Sequence, residues 1–444
     1  MNKLLASIVL VAILMSTASS FHHWSHGLKE SGDALEYHDL AINLLTTHRF
    51  EEHGELSASR DPGYVFFLAS LYAVGGSSVS VLVIQIIMFA LIALLVFSIA
   101  RELTGSGKIA SFAGFLSAIF YPLAGYAGVQ QTEIFFTLVF LTSIFLLLKA
   151  HRDHSWVTFA LCGIAFGVAI LTRSIILFLP LVLFACGVFI YRKERWFWRG
   201  WVICACCVIA FVFPWMFRNK LLFNEFVVSE KAGTTIFFAS QRLLIPDKKL
   251  PQVFVANTLG DFFARKIFGS YDRQAVEEGD YGVTLEALGK QGLSGTEFSR
   301  RAGELGLQRI LADPIRYAFV VPPIEFLKMH TPIFPYESIQ GLFSDPARYP
   351  SVPDGLKGAV ILAIRALYAL IYFCALWGMV TRLPRWQNKF FLLAALGYYV
   401  AVYAILHGVP RYLLPVFPLY LVFLAVGYQA YRQWRTSRLN AHTL

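Results

Sequence analysis

Cysteine is scarce, and it is badly placed for crosslinking. Six occur, at Cys162, Cys186, Cys204, Cys206, Cys207 and Cys374, and every one lies inside an apolar run. They offer no disulfide framework and no metal-ligand spacing; Cys204-Ala205-Cys206-Cys207 reads as helix filling. Short strands of alternating polarity are also missing, which excludes a closed membrane barrel. No internal repeat is evident, and this weighs against the repeat-built transporters.

What the chain has instead is apolar length. Hydrophobic residues make up 57% of it and the mean hydropathy is +0.59, against about 45–50% apolar for a soluble domain. The excess is gathered into runs close to the roughly 20 residues that cross a bilayer as a helix. The expected fold class is therefore an all-α polytopic membrane protein. The net charge of +10 comes mostly from short basic segments flanking apolar runs. That is the pattern of the positive-inside rule, and it makes nucleic acid an unneeded partner.

Basic flanks also orient the runs. Lys3 and then Leu4 to Met15 form either a first span or a secretory signal with Ser16-Thr17-Ala18-Ser19-Ser20 as its cleavage region. Either way, the polar stretch from Ser31 to Tyr64 emerges outside. Pro62 to Val74 is too short to cross, and a crossing there would put Arg101 and Lys108 outside, so a juxtamembrane helix on the outer surface is predicted. Val79–Ala100, Ile109 to about Tyr126, and Ile134–Ala150 then cross. Trp156 to Ile190 would be about 50 Å long as one helix, and both its ends are basic, so a hairpin reversing near Arg173 is expected. An arginine at the bilayer centre would cost about 2.5–3.5 kcal/mol on insertion scales. Gly200–Phe217, Leu356–Val380, Phe390–Leu406 and Leu413–Tyr431 complete about ten spans, with both ends cytoplasmic. The organisation predicted is an N-terminal membrane module (1–216), a central outer segment (217–355) and C-terminal membrane helices (356–444). In the central segment a surface helix is expected over Phe298–Leu311, stopped by Asp313-Pro314. The patch around Val321-Pro322-Pro323-Ile324-Glu325 reads as interfacial.

With this sidedness Asp33, Arg60, Glu133, Arg173, Arg218 and Arg411, far apart in sequence, all fall at the outer rim. Carboxylates beside guanidiniums suit an anionic, lipid-linked substrate: arginine's planar fork fits phosphate oxygens, and a carboxylate accepts a proton from an incoming hydroxyl. Plainer roles stay open. Asp33-Ala34-Leu35-Glu36 has capping-box spacing, although Asp33 shares the apolar helix face of Tyr37, Leu40, Ala41, Leu44 and Leu45 and so turns toward protein. Glu133 also suits a helix start, where an acid complements the dipole. Any one of Arg173, Arg218 and Arg411 could be an interface anchor. His22, His23 and His26 have spacing that suits a metal on a helix but read better as a solvated interfacial cluster.

The ordered set Asp33 and Tyr37, Arg60-x-Pro62-Gly63-Tyr64, Thr132-Glu133, Leu171-Thr172-Arg173 ahead of Pro180, Pro214-Trp215-x-x-Arg218-Asn219, and Arg411-Tyr412-x-x-Pro415 resembles the C-type superfamily of membrane glycosyltransferases. The branch is that of the protein O-mannosyltransferases and lipid A aminoarabinose transferases. The resemblance covers nearly the whole chain through the order of its motifs, none of them specific alone. It implies a polyprenyl-phosphate sugar donor, a protein, lipid or glycan acceptor, and inverting transfer at the outer face of a bacterial inner membrane. Asp33 matches the family's catalytic acid and Glu133 its second acidic position, a candidate ligand for the sugar, the acceptor or a divalent cation. Arg60 matches the basic residue that meets the donor phosphate, with Tyr37, Tyr64, Arg173, Arg218, Arg411 and Tyr412 as further substrate-binding candidates. Some relatives carry a soluble C-terminal domain, whereas the long outer segment here is central, which leaves acceptor recognition open. A transporter or flippase of a lipid-linked or anionic substrate is the alternative. It would place its ionisable residues near mid-membrane.

Overall fold

The computed structural model describes the chain except residues 1, 26–31, 274–275, 277–283, 285, 287, 291–292, 294, 332–350 and 442–444. His26 lies outside the described residues, as do the side chains of His22 and His23.

The described chain is almost wholly helical. Helix α1 (Asn2–Ser25) is followed by α2 (Asp33–Thr46) and a two-stranded antiparallel ribbon of β1 (Glu51–Glu52) and β2 (Glu55–Leu56), in which Glu51 faces Leu56. Then come α3 (Pro62–Ala73), α4 (Ser78–Thr104), α5 (Gly107–Ala118) and the short α6 (Tyr121–Ala124). Helices α7 (Thr132–Asp153), α8 (Trp156–Thr172), α9 (Leu179–Tyr191) and α10 (Arg195–Phe223) finish the first half. The expected hairpin is there, with α8 and α9 separated at Arg173 by a single 3-10 turn, Ser174–Ile176.

Among the described residues seven helices are long and apolar enough to cross a bilayer, or eight if the pair Gly107–Ala118 and Tyr121–Gly128, bent by 50°, is one broken span. The expectation of about ten is approximate for identifiable reasons. Helix α8 is apolar but has only 17 residues. The last helix, Phe417–Ala441, is apolar only in its first half, before Gln429, Arg432 and Arg435. Helix α3 is short and apolar, as expected of a juxtamembrane element.

The central segment holds α11 (Lys231–Gln241), α12 (Leu250–Leu259), α13 (Asp261–Phe268), α14 (Gly295–Ala312) and α15 (Pro314–Met329). Asp313 caps α15, its carboxylate accepting the N–H of Arg316. Helices α16 (Asp354–Val380), α17 (Trp386–Ile405), α18 (Pro410–Leu413) and α19 (Phe417–Ala441) close the chain.

Two ends of the bundle differ sharply in charge. Helix α7 carries Glu133 in its first turn and Arg152 in its last, and Arg152 pairs with Glu102 at the far end of α4. Arg385, ahead of α17, donates to the carbonyl of the same Glu102 at 2.8 Å. Basic residues thus gather at one end, while the first residues of α7 and the last of α8 stand at the other. There α3 lies across the tip of α8 at a close approach. A Cβ on Gly63 would sit 2.6 Å from Thr172 Oγ1 and 2.8 Å from the Leu171 carbonyl carbon. Only glycine lets the juxtamembrane helix settle there.

Candidate active site

Asp33 is the first residue of α2, so the N-cap position falls to Gly32 and no side chain caps the helix. The carboxylate turns instead to two arginines. Its Oδ1 accepts Arg60 Nη2 at 2.7 Å, and its Oδ2 accepts Arg411 Nη2. Arg60 is also tied to Glu36, one turn along the same helix, through Nε at 2.6 Å. The capping-box spacing of Asp33 and Glu36 therefore serves a shared ion pair. Tyr37 lies beneath it, its ring 5.4 Å from the Arg60 guanidinium and packed edge-on against Tyr64 at 5.3 Å.

Glu133, in the first turn of α7, is almost fully buried. Its Oε1 accepts Arg173 Nη2 at 2.5 Å and lies 3.9 Å from Arg411 Nε. Arg173 reaches Thr132 Oγ1 as well, from Nη2 at 2.9 Å and from Nε at 3.1 Å. The ring of Tyr412 sits between the guanidiniums of Arg173 and Arg411, 5.6 Å from each. Arg411 is thus the bridge between the two acids, and Asp33 and Glu133 share one cluster at one end of the bundle.

Electrostatics follow from this crowding. Burial pushes the Asp33 carboxyl up, but the charges and hydrogen bonds of Arg60 and Arg411 outweigh it and hold the pKa at about 2. Burial opposes the charge on Arg60 and Arg411 too, and their neighbours win, Tyr37, Asp33 and Glu36 around Arg60 and Glu133 and Asp33 around Arg411, raising both above the ordinary value. All three groups are charged at neutral pH. The second oxygen of Glu133, Oε2, is buried and has no hydrogen-bond partner among the described residues.

Two expected members stand elsewhere. Arg218 donates to the backbone carbonyls of Ser57 (2.9 Å) and Phe50 (3.3 Å), and its guanidinium lies 4.7 Å over the Trp215 ring. It fastens the ribbon loop to α10. Tyr64 is fully buried and donates to Gln85 Oε1 at 2.9 Å, so it supports Tyr37 from behind. Glu36 and Thr132 were not among the expected site residues. Their signals, an acid one turn after Asp33 and a hydroxyl beside Glu133, are visible only once the arginines are placed. Among the described residues no three His, Cys, Asp or Glu gather as a metal-ligand set, and the two site carboxylates are already bridged by Arg411. With both acids committed to arginines, the described residues of the cluster do not fit a divalent cation.

Residues 59–217 match the family model described as dolichyl-phosphate-mannose-protein mannosyltransferase. No curated protein matches the chain in sequence. Among solved structures, the apo oligosaccharyltransferase of Archaeoglobus fulgidus aligns over 99% of this chain and 52% of its own, at 16% identity and a TM-score of 0.55. The fold is that of this archaeal oligosaccharyltransferase. The same archaeal enzyme, AglB, in complex with an inhibitory peptide and a dolichol-phosphate, aligns over 99% of this chain and 52% of its own, at 14% identity and a TM-score of 0.52. ArnT from Cupriavidus metallidurans bound to undecaprenyl phosphate aligns over 96% of this chain and 78% of its own, at 15% identity and a TM-score of 0.40. The present chain spans about half the length of the archaeal oligosaccharyltransferase it matches. The family-model match runs from just before Arg60 to just before Arg218. It covers Arg60, Glu133 and Arg173, while Asp33 and Arg411 join the cluster from outside it.

Proposed function

We propose that this protein is a glycosyltransferase that moves a sugar from a polyprenyl-phosphate donor to an acceptor hydroxyl at the outer membrane face, with inversion. The observation that carries the reading is the Asp33 carboxylate held between Arg60 and Arg411, with Arg411 reaching on toward Glu133. The family-model match and the C-type fold support the donor class. The concentration of basic residues at the opposite end of the bundle supports an outward-facing cluster through the positive-inside rule.

In this mechanism the acceptor oxygen attacks the anomeric carbon. The bond from that carbon to the phosphate oxygen breaks, and the phosphate leaves with the electron pair. Arg60 and Arg411 stabilise the charge collecting on the leaving phosphate, a preorganised electrostatic effect. Asp33 accepts the hydroxyl hydrogen and takes the proton as the new bond forms. A carboxylate with a pKa of about 2 is a weak base, so its main contribution is to orient the nucleophile. The unpartnered Oε2 of Glu133 is an acceptor for a second hydroxyl, on the sugar or the incoming substrate.

The test is reconstitution in liposomes with radiolabelled polyprenyl-phosphate sugars and candidate acceptors. Wild type transfers label, while Asp33→Asn and Glu133→Gln fold but lose about 10²-fold or more of the rate. Near-wild-type transfer by Asp33→Asn removes the mechanism.

A further inference from the structure

Arg411 stands in the short α18, just past residues 406–409 that follow α17, and neither stretch has a carboxylate of its own. What holds it comes from the central outer segment. Glu325, on α15, is completely buried. Its Oε2 accepts the backbone N–H of Gly408 at 2.7 Å, three residues before Arg411, and its Oε1 accepts Arg242 Nε at 2.6 Å. A second grip from α15 lies just ahead, where the Tyr317 hydroxyl donates to the carbonyl of Ile405, the last residue of α17. The approach at Gly408 is tight: a Cβ there would lie 2.8 Å from the Glu325 carbonyl oxygen and 3.4 Å from Met329 Cβ.

His407 does not supply the holding charge. Its Nδ1 is 3.7 Å from Glu325 Oε2, but burial lowers its pKa to about 4, so the ring is neutral at neutral pH. It is stacked on Phe238 of α11, centroids 5.0 Å apart. Burial raises the Glu325 carboxyl, while the charges of Arg242 and Lys328 and the Arg242 hydrogen bond pull it below the ordinary value. The carboxylate is therefore charged and compensated, and a buried acid of this kind is kept only where its partners are fixed.

We propose that Glu325 is a positioning residue. By holding the Gly408 amide, it sets where Arg411 stands between Asp33 and Glu133, so the central outer segment governs a cluster that Glu325 itself does not touch. The functional half of this inference rests on the glycosyl-transfer reading; the structural half does not. An outer segment that bound an acceptor would act on the cluster through the same bond.

The experiment uses the full chain in liposomes, with amide hydrogen exchange read beside transfer of label from a polyprenyl-phosphate sugar. Glu325→Gln is expected to raise exchange over residues 406–412 while leaving α4 (Ser78–Thr104) unchanged. Transfer is expected to fall about tenfold, mainly in kcat, because a small displacement of a charged group at a reacting centre has that scale of effect. Gly408→Ala, which pushes the same contact apart from the other side, should reproduce both results. In an Arg411→Lys background, Glu325→Gln should remove less than about a further twofold, since residues acting through one another are not additive. A multiplicative loss in that background, or exchange rising throughout α4, would show a merely structural role and overturn the proposal. So would unchanged exchange over 406–412 in both variants. If Asp33→Asn also transfers normally, the glycosyl-transfer reading fails and the exchange result alone decides whether the latch exists.

Discussion

Replacing Arg411 by glutamine should change the acid side of the rate profile as well as the rate. Asp33 sits at about 2 against an ordinary 3.8, and its side chain is 25% exposed. That gap is worth about 2 kcal/mol of differential interaction, shared between Arg60 and Arg411 after burial has taken its part in the other direction. A carboxyl whose folded pKa is depressed stabilises the fold above its unfolded pKa, and that contribution is lost as the pH falls through the folded value. For Asp33 the window runs from near 3.8 down to about 2. At pH 3 the wild-type carboxyl should be about nine-tenths ionised, against about one-seventh for an unperturbed aspartate. Without Arg411 only Arg60 opposes burial, so the pKa should rise by about one pH unit, and about 1 kcal/mol of the neutral-pH stability goes with it. Transfer of label in liposomes, followed from neutral to acidic buffer, should then begin to fall about one pH unit earlier in Arg411→Gln than in wild type. The plateau rate should be lower by about 10²-fold, the scale of losing one preorganised donor. An Arg411→Gln protein whose plateau and acid limb both match wild type would refute the bridge as a functional element. A lowered plateau with an unmoved limb would mean that Arg411 acts without touching Asp33.

Two further outcomes separate site from support. Tyr64→Phe leaves Gln85 Oε1 without its donor in a buried setting; thermal unfolding should register a loss of about 1–2 kcal/mol, while the donor KM stays within about twofold of wild type because phenylalanine keeps the ring that packs on Tyr37. Arg218→Gln should make the ribbon loop around residues 50–58 more susceptible to proteolysis, since two backbone carbonyls lose their donor. Its transfer rate should suffer less than that of Arg60→Gln, and the reverse order would return Arg218 to the site.

Sidedness was the most legible feature in the sequence, because basic flanks report orientation independently of packing. It was enough to bring Asp33, Arg60, Glu133, Arg173 and Arg411 to one end before any contact was known. The partners were not legible. Asp33 and Glu36 have the spacing of a helix cap and also that of two acids facing one arginine. Only the position of Arg60, 24 residues beyond Glu36, decides between them. Arg218 and Arg411 looked alike as arginines at span ends. They part company because Arg218 lies beside Trp215 and two open carbonyls, whereas Arg411 stands between two carboxylates. The span count blurred where hydropathy does. In Phe417–Ala441 polar residues continue the helix past its apolar half, and a helix does not end where its apolar stretch ends.

Charge balance in the cluster points to one more consequence. Asp33, Glu36 and Glu133 face Arg60, Arg173 and Arg411, three acids against three bases, so a phosphodiester donor arrives as a fourth anion. Arg60 and Arg411 each keep Nη1 uncommitted among the described residues, and those groups are the natural grips for phosphate oxygens. Glu36 is the most exposed of the three acids, at 38%, and it holds Arg60 alone, without contact to Arg411 or Arg173 among the described residues. It is therefore the anion that competes with the donor phosphate for Arg60. Glu36→Gln should release that guanidinium and lower the donor KM by up to about fivefold, the upper scale of an exposed ion pair, with kcat within about twofold because Asp33 keeps both its arginines. Raising the salt concentration should shrink the difference between variant and wild type, since the competing pair is solvent-facing. A donor KM that rises in Glu36→Gln would mean that Glu36 aims Arg60 at the phosphate and does not contend with it.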